Sequence, residues 1–192
     1  MADTFIHTYL QGARAVIEQL DYSGIEKTIA ALAALKERKG RLFLLGVGGS
    51  AANCSHAVND FRKIAHIETY TPVDNVSELT ARANDDGWDT IFSEWLKGSN
   101  LNKQDAVMVF SVGGGNVEKK VSVNIVKALQ YAKAVEATIL GIISRDGGYT
   151  RQVAEVCIVI PTISDETITP YAESFKGLLW HLMVNHPKVK GK

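Results

Sequence analysis

The stretch RLFLLGVGGSAANCSHAVND, Arg41 to Asp60, runs a strand, a glycine turn and a helix together without a break. Leu42-Phe43-Leu44-Leu45 is continuously apolar, the pattern of a parallel strand covered on both faces. Gly46, Gly48 and Gly49 follow, residues that allow positive φ and let a ligand approach backbone N–H groups. Ser50 stands where a helix N-cap belongs. Unpaired N–H groups and the positive end of a helix dipole then point the same way, which makes an anion site; a tight strand-to-helix turn without a ligand is the plainer alternative. The glycines match neither a Walker A sequence nor GxGxxG, so the phosphate of a small metabolite is expected rather than a nucleotide.

Further along the chain, apolar runs recur at Ala106–Ser111 (AVMVFS), Thr138–Ser144 (TILGIIS) and Val156–Ile160 (VCIVI), with helix-spaced segments between them. This βαβ rhythm predicts an α/β fold around a parallel sheet. The first run leaves into Ser111-Val112-Gly113-Gly114-Gly115-Asn116, a second glycine-rich loop, followed by a helix pattern over Val123–Val135. Ligands of open α/β sheets bind outside the carboxyl ends of the strands, so both loops should rim one crevice. Ser144-Arg145-Asp146-Gly147-Gly148 leaves the next strand toward the same rim. Without repeats, low-complexity tracts or a Pro/Ser-rich linker, residues 1–192 read as one domain. It opens with a helical hairpin over residues 1–40, broken near Asp21-Tyr22-Ser23-Gly24 and again at Lys39-Gly40.

Charge and composition narrow the partners. The 192 residues carry 21 Lys plus Arg against 21 Asp plus Glu. With zero formal charge, no basic field attracts nucleic acid or an anionic membrane surface. No apolar run approaches the roughly 20 residues of a membrane span, and the amphipathic start MADTFIHTYLQGARAVIEQL lacks a signal-peptide core, so a cytoplasmic protein is expected. Cys54 and Cys157 are too few for a disulfide framework or a thiolate zinc site.

The chemistry-bearing residues fall into two helices. His56 and Asp60, four apart, share one helix face and can chelate one divalent ion, although the same spacing also describes a solvated pair. Glu173 and His181 are eight apart in the helix pattern Pro170–Asn185, about two turns along one face. Two His and two carboxylates suit zinc or a similar divalent ion, with one carboxylate binding transiently if a position is to stay open. His7, His66 and His186 have no spaced partner. Trp88, Trp95 and Trp180 fall at apolar helix positions and read as core or subunit contacts. The N-terminal helices, with Phe5, Ile6, Tyr9, Leu10, Val16, Ile17 and Leu20, carry more apolar surface than one monomer face hides and predict an oligomer interface.

Four segments together resemble the sugar isomerase (SIS) domain superfamily and, within it, the phosphoheptose (sedoheptulose-7-phosphate) isomerases. They are GVGGSAANCSHAVNDF at Gly46–Phe61, DNVSELTARANDDGWDTIFSEWL at Asp74–Leu96, FSVGGGN with SVNIVKAL at Phe110–Leu129, and RDGG at Arg145–Gly148. The resemblance implies a three-layer, doubly wound, flavodoxin-like sandwich with a parallel sheet of about five strands. It implies conversion of sedoheptulose 7-phosphate to D-glycero-D-manno-heptose 7-phosphate, a homotetramer with active sites at subunit interfaces, and bound zinc or another divalent metal. The family's His and, four residues on, its catalytic Glu correspond to His56 and Asp60. Its Gln and, eight residues on, its catalytic His correspond to Glu173 and His181, provided the gap preserves that spacing; pairing Ala172 and Trp180 instead would erase the site.

For the substrate, the resemblance carries over Val47, Gly48, Gly49 and Ser50 of the first turn, with Val47 in place of the usual Asn. Asn84 and Asp85 match the family's Asn-Asp pair. Ser111 and Ser122 match the first and last serines of its Ser-Thr-Ser-Gly-Asn-Ser loop, while Val112 and Gly113 replace hydroxyl residues and a short insertion lies within Gly114–Val121. Backbone N–H groups of Gly113 to Asn116, with Lys119 or Lys120, would then hold the phosphate. Asp60 is expected as base at one carbon and His181 as the partner acid/base of an enediol mechanism. Asp for Glu shortens the base by one methylene, and Glu173 for Gln adds a negative charge that favours a metal and repels an anionic substrate. A non-catalytic SIS module that binds a sugar phosphate to regulate or scaffold a partner is the alternative function.

Overall fold

The computed structural model describes residues 4–191. Two helices, α1 (Thr4–Gln19) and α2 (Tyr22–Glu37), open the chain with the expected break between them, and α1 meets the helix over Ile168–Asn185, where the Tyr171 hydroxyl donates to the Tyr9 carbonyl. The break is fixed by Asp21, whose carboxylate caps α2 by accepting from the Ser23 N–H. Strand β1 (Leu42–Gly46) then leads into α3 (Gly49–Lys63), the element order read from Arg41–Asp60. The chain continues through β2 (Thr69–Tyr70), α4 (Val76–Asp85), α5 (Ile91–Gly98), β3 (Ala106–Phe110), α6 (Val123–Ala134), β4 (Thr138–Ile143), α7 (Gly148–Val153) and β5 (Val156–Val159). A single 3-10 turn at Asp165–Thr167 precedes α8 (Ile168–Asn185) and the short α9 (Pro187–Lys190).

The five strands are all parallel, in the order β2-β1-β3-β4-β5. Strand residues alternate between the two faces of the sheet. Leu42, Leu44, Met108, Phe110, Leu140 and Ile142 face a core shared with α2, α3 and α8. Phe43, Leu45, Val107, Val109 and Ile139 face a second core shared with α5 and α6. Both faces of the sheet are covered, which is why the central strands read as unbroken apolar runs. The sheet is the expected three-layer, doubly wound α/β arrangement, and its order turns back between β1 and β3, the switch point where such sheets open a crevice.

The starts of those two strands are joined by a charge pair. The Arg41 guanidinium lies 2.7 Å from the Asp105 carboxylate, and the bond to Asp105 raises the arginine pKa further above its ordinary value. At the other end, Gly46 is required by close approach: a Cβ there would stand 2.7 Å from the Ser50 backbone.

Strand β2 gave no signal in the sequence, because two residues on a sheet edge are too short for any periodicity to show. Trp88 is not at an apolar helix position. It lies in the turn between α4 and α5 with half its surface exposed, whereas Trp95 and Trp180 are buried. No helix among the described residues is long and apolar enough to cross a membrane.

Candidate active site

Helices α3 and α8 pack side by side, and this contact brings three of the four candidate ligands together. His56 and Asp60 from α3 and His181 from α8 each offer a ligand atom, and these atoms all lie within 4.8 Å of one another. Asp60 Oδ2 is 3.7 Å from His181 Nε2 and 4.0 Å from His56 Nε2. His181 donates its Nδ1–H to the Gly177 carbonyl at 2.7 Å, which leaves the Nε2 lone pair directed at the group. Its ring stacks on Trp180 with centroids 3.5 Å apart, and His56 meets the same indole edge-on at 4.7 Å. Asn53 ties the helices together: its amide donates to the Gly49 and Glu173 carbonyls, and its oxygen accepts from the Trp180 indole N–H at 3.2 Å. Ala172 and Trp180 are buried, so the alignment that keeps Glu173 and His181 on the open face agrees with the way α8 is seated.

Glu173 does not join the three. Side chains on a helix lean toward its N-terminus, and eight residues separate Glu173 from His181 by about 12 Å along the axis. The Glu173 carboxylate instead lies over Gly49, close enough that a methyl group at that glycine would overlap it. The expectation of a fourth ligand from this residue is therefore not met in this arrangement. A set of two imidazoles and one carboxylate is the donor set of catalytic zinc sites that keep a position open, so the three residues present fit such an ion.

Glu173 lines a neighbouring cleft of about 690 Å³ at the carboxyl ends of β1 and β3. Val47, Ser50, Ser111, Val112, Gly113, Asn116 and Ser122, all singled out in the sequence, line it too. Arg145 and Asp146 of the loop after β4 complete the rim as expected, and Lys119 rather than Lys120 is the lysine that reaches it. Thr169 also faces the cleft and carried no sequence signal.

Several local roles differ from expectation. The N-cap of α3 is Gly48, at φ 64°, with no side chain capping the helix. Ser50 sits inside the first turn, and its hydroxyl accepts from the Lys176 ammonium at 2.7 Å. The amides of the second loop are only partly open to an anion: the Gly114 N–H donates to Ser111 Oγ, and the Asn116 N–H to the Val121 carbonyl. Asn116 and Val121 form an antiparallel bridge, so the short insertion is a hairpin turn. Ser122 takes the left-handed conformation at the start of α6 and its side chain makes no capping bond. Asn84 and Asp85 are exposed at the end of α4, bonded to each other and outside the cleft lining. Among the described residues they stay apart from the site, because α4 packs on the opposite face of the sheet through Leu79 and Ala83.

Lys176 is the residue that sequence reasoning missed. It is fully buried in α8, and burial lowers its pKa from 10.5 to about 8 against the opposing attraction of Glu173. The available signal was a lysine set in the apolar stripe of Ala172, Phe175, Leu179, Trp180 and Met183, a position that a helix facing a core reserves for apolar side chains.

The arrangement agrees with what the chain is similar to. The SIS domain family pattern matches residues 8–144. A phosphoheptose isomerase of Pelobacter propionicus is 30% identical over 85% of this chain and 87% of its own length. Another, from Syntrophotalea carbinolica, is 27% identical over 95% of this chain and 91% of its own. The solved phosphoheptose isomerase GmhA of Neisseria gonorrhoeae superposes with a TM-score of 0.80 at 20% identity, covering 94% of both chains, which shows the shared fold. The chain belongs to the SIS domain family and, within it, to the phosphoheptose isomerases. In enzyme class it is an isomerase.

Proposed function

We propose that this protein interconverts an aldose and a ketose phosphate, with sedoheptulose 7-phosphate as substrate and D-glycero-D-manno-heptose 7-phosphate as product. The observation that carries the reading is the convergence of His56, Asp60 and His181 on one point of the α3–α8 face beside the cleft. From Gly49 to His56 helix α3 rises about 10 Å, a distance that a seven-carbon chain ending in phosphate can span. The phosphate would lie at the α3 N-terminus, where helix N–H groups and the dipole favour an anion, and the reacting carbons beside Asp60.

Aldose–ketose isomerisation moves a proton between neighbouring carbons and between their oxygens. Asp60 takes the carbon-bound proton, its carboxylate held on one side by the Asn59 amide at 2.8 Å. His181, with Nδ1–H fixed on Gly177, presents the Nε2 lone pair either to the oxygen-bound proton or to a metal ion, one at a time. Their separation of 3.7 Å lets the two act on adjacent atoms of one substrate. His56, Asp60 and His181 would hold zinc or another divalent ion, which when bound polarises the carbonyl and stabilises the enediolate.

The assembly proposed is a homotetramer of single-domain chains. It is supported by the exposure of Phe5, Ile6, Leu10 and Ile17 on α1 and of Leu178 and Leu182 on α8, apolar surface that a second copy would cover.

The test is turnover of sedoheptulose 7-phosphate by metal-stripped protein resupplied with zinc, with solvent deuterium followed into the sugar. Isomerisation and exchange should return with the metal and vanish in Asp60→Asn and in His181→Ala. Activity retained in both variants would remove Asp60 and His181 from the mechanism, whereas tight binding with no exchange would replace this reading with a sugar-phosphate sensor.

A further inference from the structure

Resting on the sugar-phosphate reading, one charge in the site calls for an explanation. Glu173 places a carboxylate in the wall of the cleft, over Gly49, where an anionic ligand has to approach. Lys176 stands three residues on, on the same side of α8. It has no exposed surface, and its ammonium donates to the hydroxyl of Ser50, itself a cleft residue. A buried ammonium persists only where opposite charge and hydrogen bonds compensate it. The Glu173 carboxylate attracts it, and the Ser50 hydroxyl accepts a hydrogen bond from it.

We infer that Lys176 is a positioning residue, the fixed countercharge to Glu173, which together with its hold on Ser50 keeps the cleft receptive to an anion although a carboxylate lines it. Without touching as an ion pair, the two side chains carry opposite formal charges that sum to zero on one side of α8. Removing the lysine alone leaves the carboxylate unopposed, and removing both charges restores neutrality. A purely structural role for the lysine would not be relieved by a second change at Glu173.

The experiment is calorimetric titration of sedoheptulose 7-phosphate and, separately, inorganic phosphate into wild type, Lys176→Met, Glu173→Gln and the double variant, with kcat and KM measured for each. Lys176→Met should bind both anions at least tenfold more weakly and raise KM more than it lowers kcat. The double variant should return to within threefold of wild type, and Glu173→Gln alone should bind at least threefold more tightly. The Glu173→Gln arm keeps the inference testable if Lys176→Met does not fold. Wild-type affinity in Lys176→Met, a double variant as weak as that single variant, no tightening in Glu173→Gln, or no anion binding by wild type would each overturn it. Coupled binding without turnover would sink the isomerase reading and leave this inference standing; turnover without coupling would do the reverse.

Discussion

The two glycine-rich loops that leave β1 and β3 look alike in sequence and are built for different ends. In the first, Gly48 turns the chain at φ 64° and nothing lies within 4 Å of where its Cβ would be. The start of α3 therefore faces the cleft without a capping side chain. In the second, a Cβ on Gly114 would collide with the Gly147 carbonyl, and one on Gly148 with the carbonyls of Gly113 and Gly115. The carbonyls of Gly114 and Gly115 accept the Thr150 and Tyr149 N–H groups, so this loop caps α7. A run of glycine after a strand thus signals close backbone approach, and only the surroundings decide whether a ligand or another loop does the approaching.

The sharpest way to break this comparison is Gly114→Ala. It meets both a positive φ of 69° and a backbone collision, and should cost about 4 kcal/mol, read as a large loss in chemical unfolding midpoint. Gly48→Ala shares the positive φ without the collision and should cost only ~2 kcal/mol. Equal losses at the two positions would erase the distinction.

A pH experiment sharpens the role of the first loop. Burial lowers Lys176 from 10.5 to about 8. Between those two pH values the unfolded chain holds a proton that the folded chain has released, so stability rises with pH across that window, by at most roughly 3 kcal/mol. The rise should be present in wild type and missing in Lys176→Met when unfolding free energies are compared at pH 7.5 and 10. A wild-type curve that superposes on that of the variant would mean that Lys176 is not buried as described.

Smaller effects follow at the edges of the site. Trp180→Phe removes the indole N–H that bonds Asn53 and should cost ~1 kcal/mol in unfolding free energy. Lys119→Ala should weaken inorganic phosphate binding about threefold, as expected for one exposed charge at the cleft, whereas Lys120→Ala, on a residue outside the lining, should leave it unchanged.

Most of the architecture was legible because strands covered on both faces must be apolar throughout. Leu42–Leu45, Ala106–Phe110 and Thr138–Ile143 announce themselves for that reason, and their C-terminal glycines mark the rim of the crevice. The edge strand Thr69–Tyr70 stayed silent because two residues have no period. Within the site, His56 and Asp60 could be paired from spacing alone, since four residues on a helix define a face. Joining His181 to them required the choice of a gap by resemblance, and the seating of α8, with Ala172 and Trp180 inward, agrees with that choice.

Local pattern and composition set the βαβ order, the parallel sheet, the two loops at one edge and the balanced charge. Folding settled what depends on side chains meeting across helices. It left Glu173 apart from His181 and over Gly49, paired Lys176 with Ser50, moved the cap of α3 from Ser50 to Gly48, and left Asn84 and Asp85 exposed at the end of α4. Spacing along one helix gives the direction of a side chain, whereas its partner is set by how two helices rotate and slide when they bury their apolar stripes.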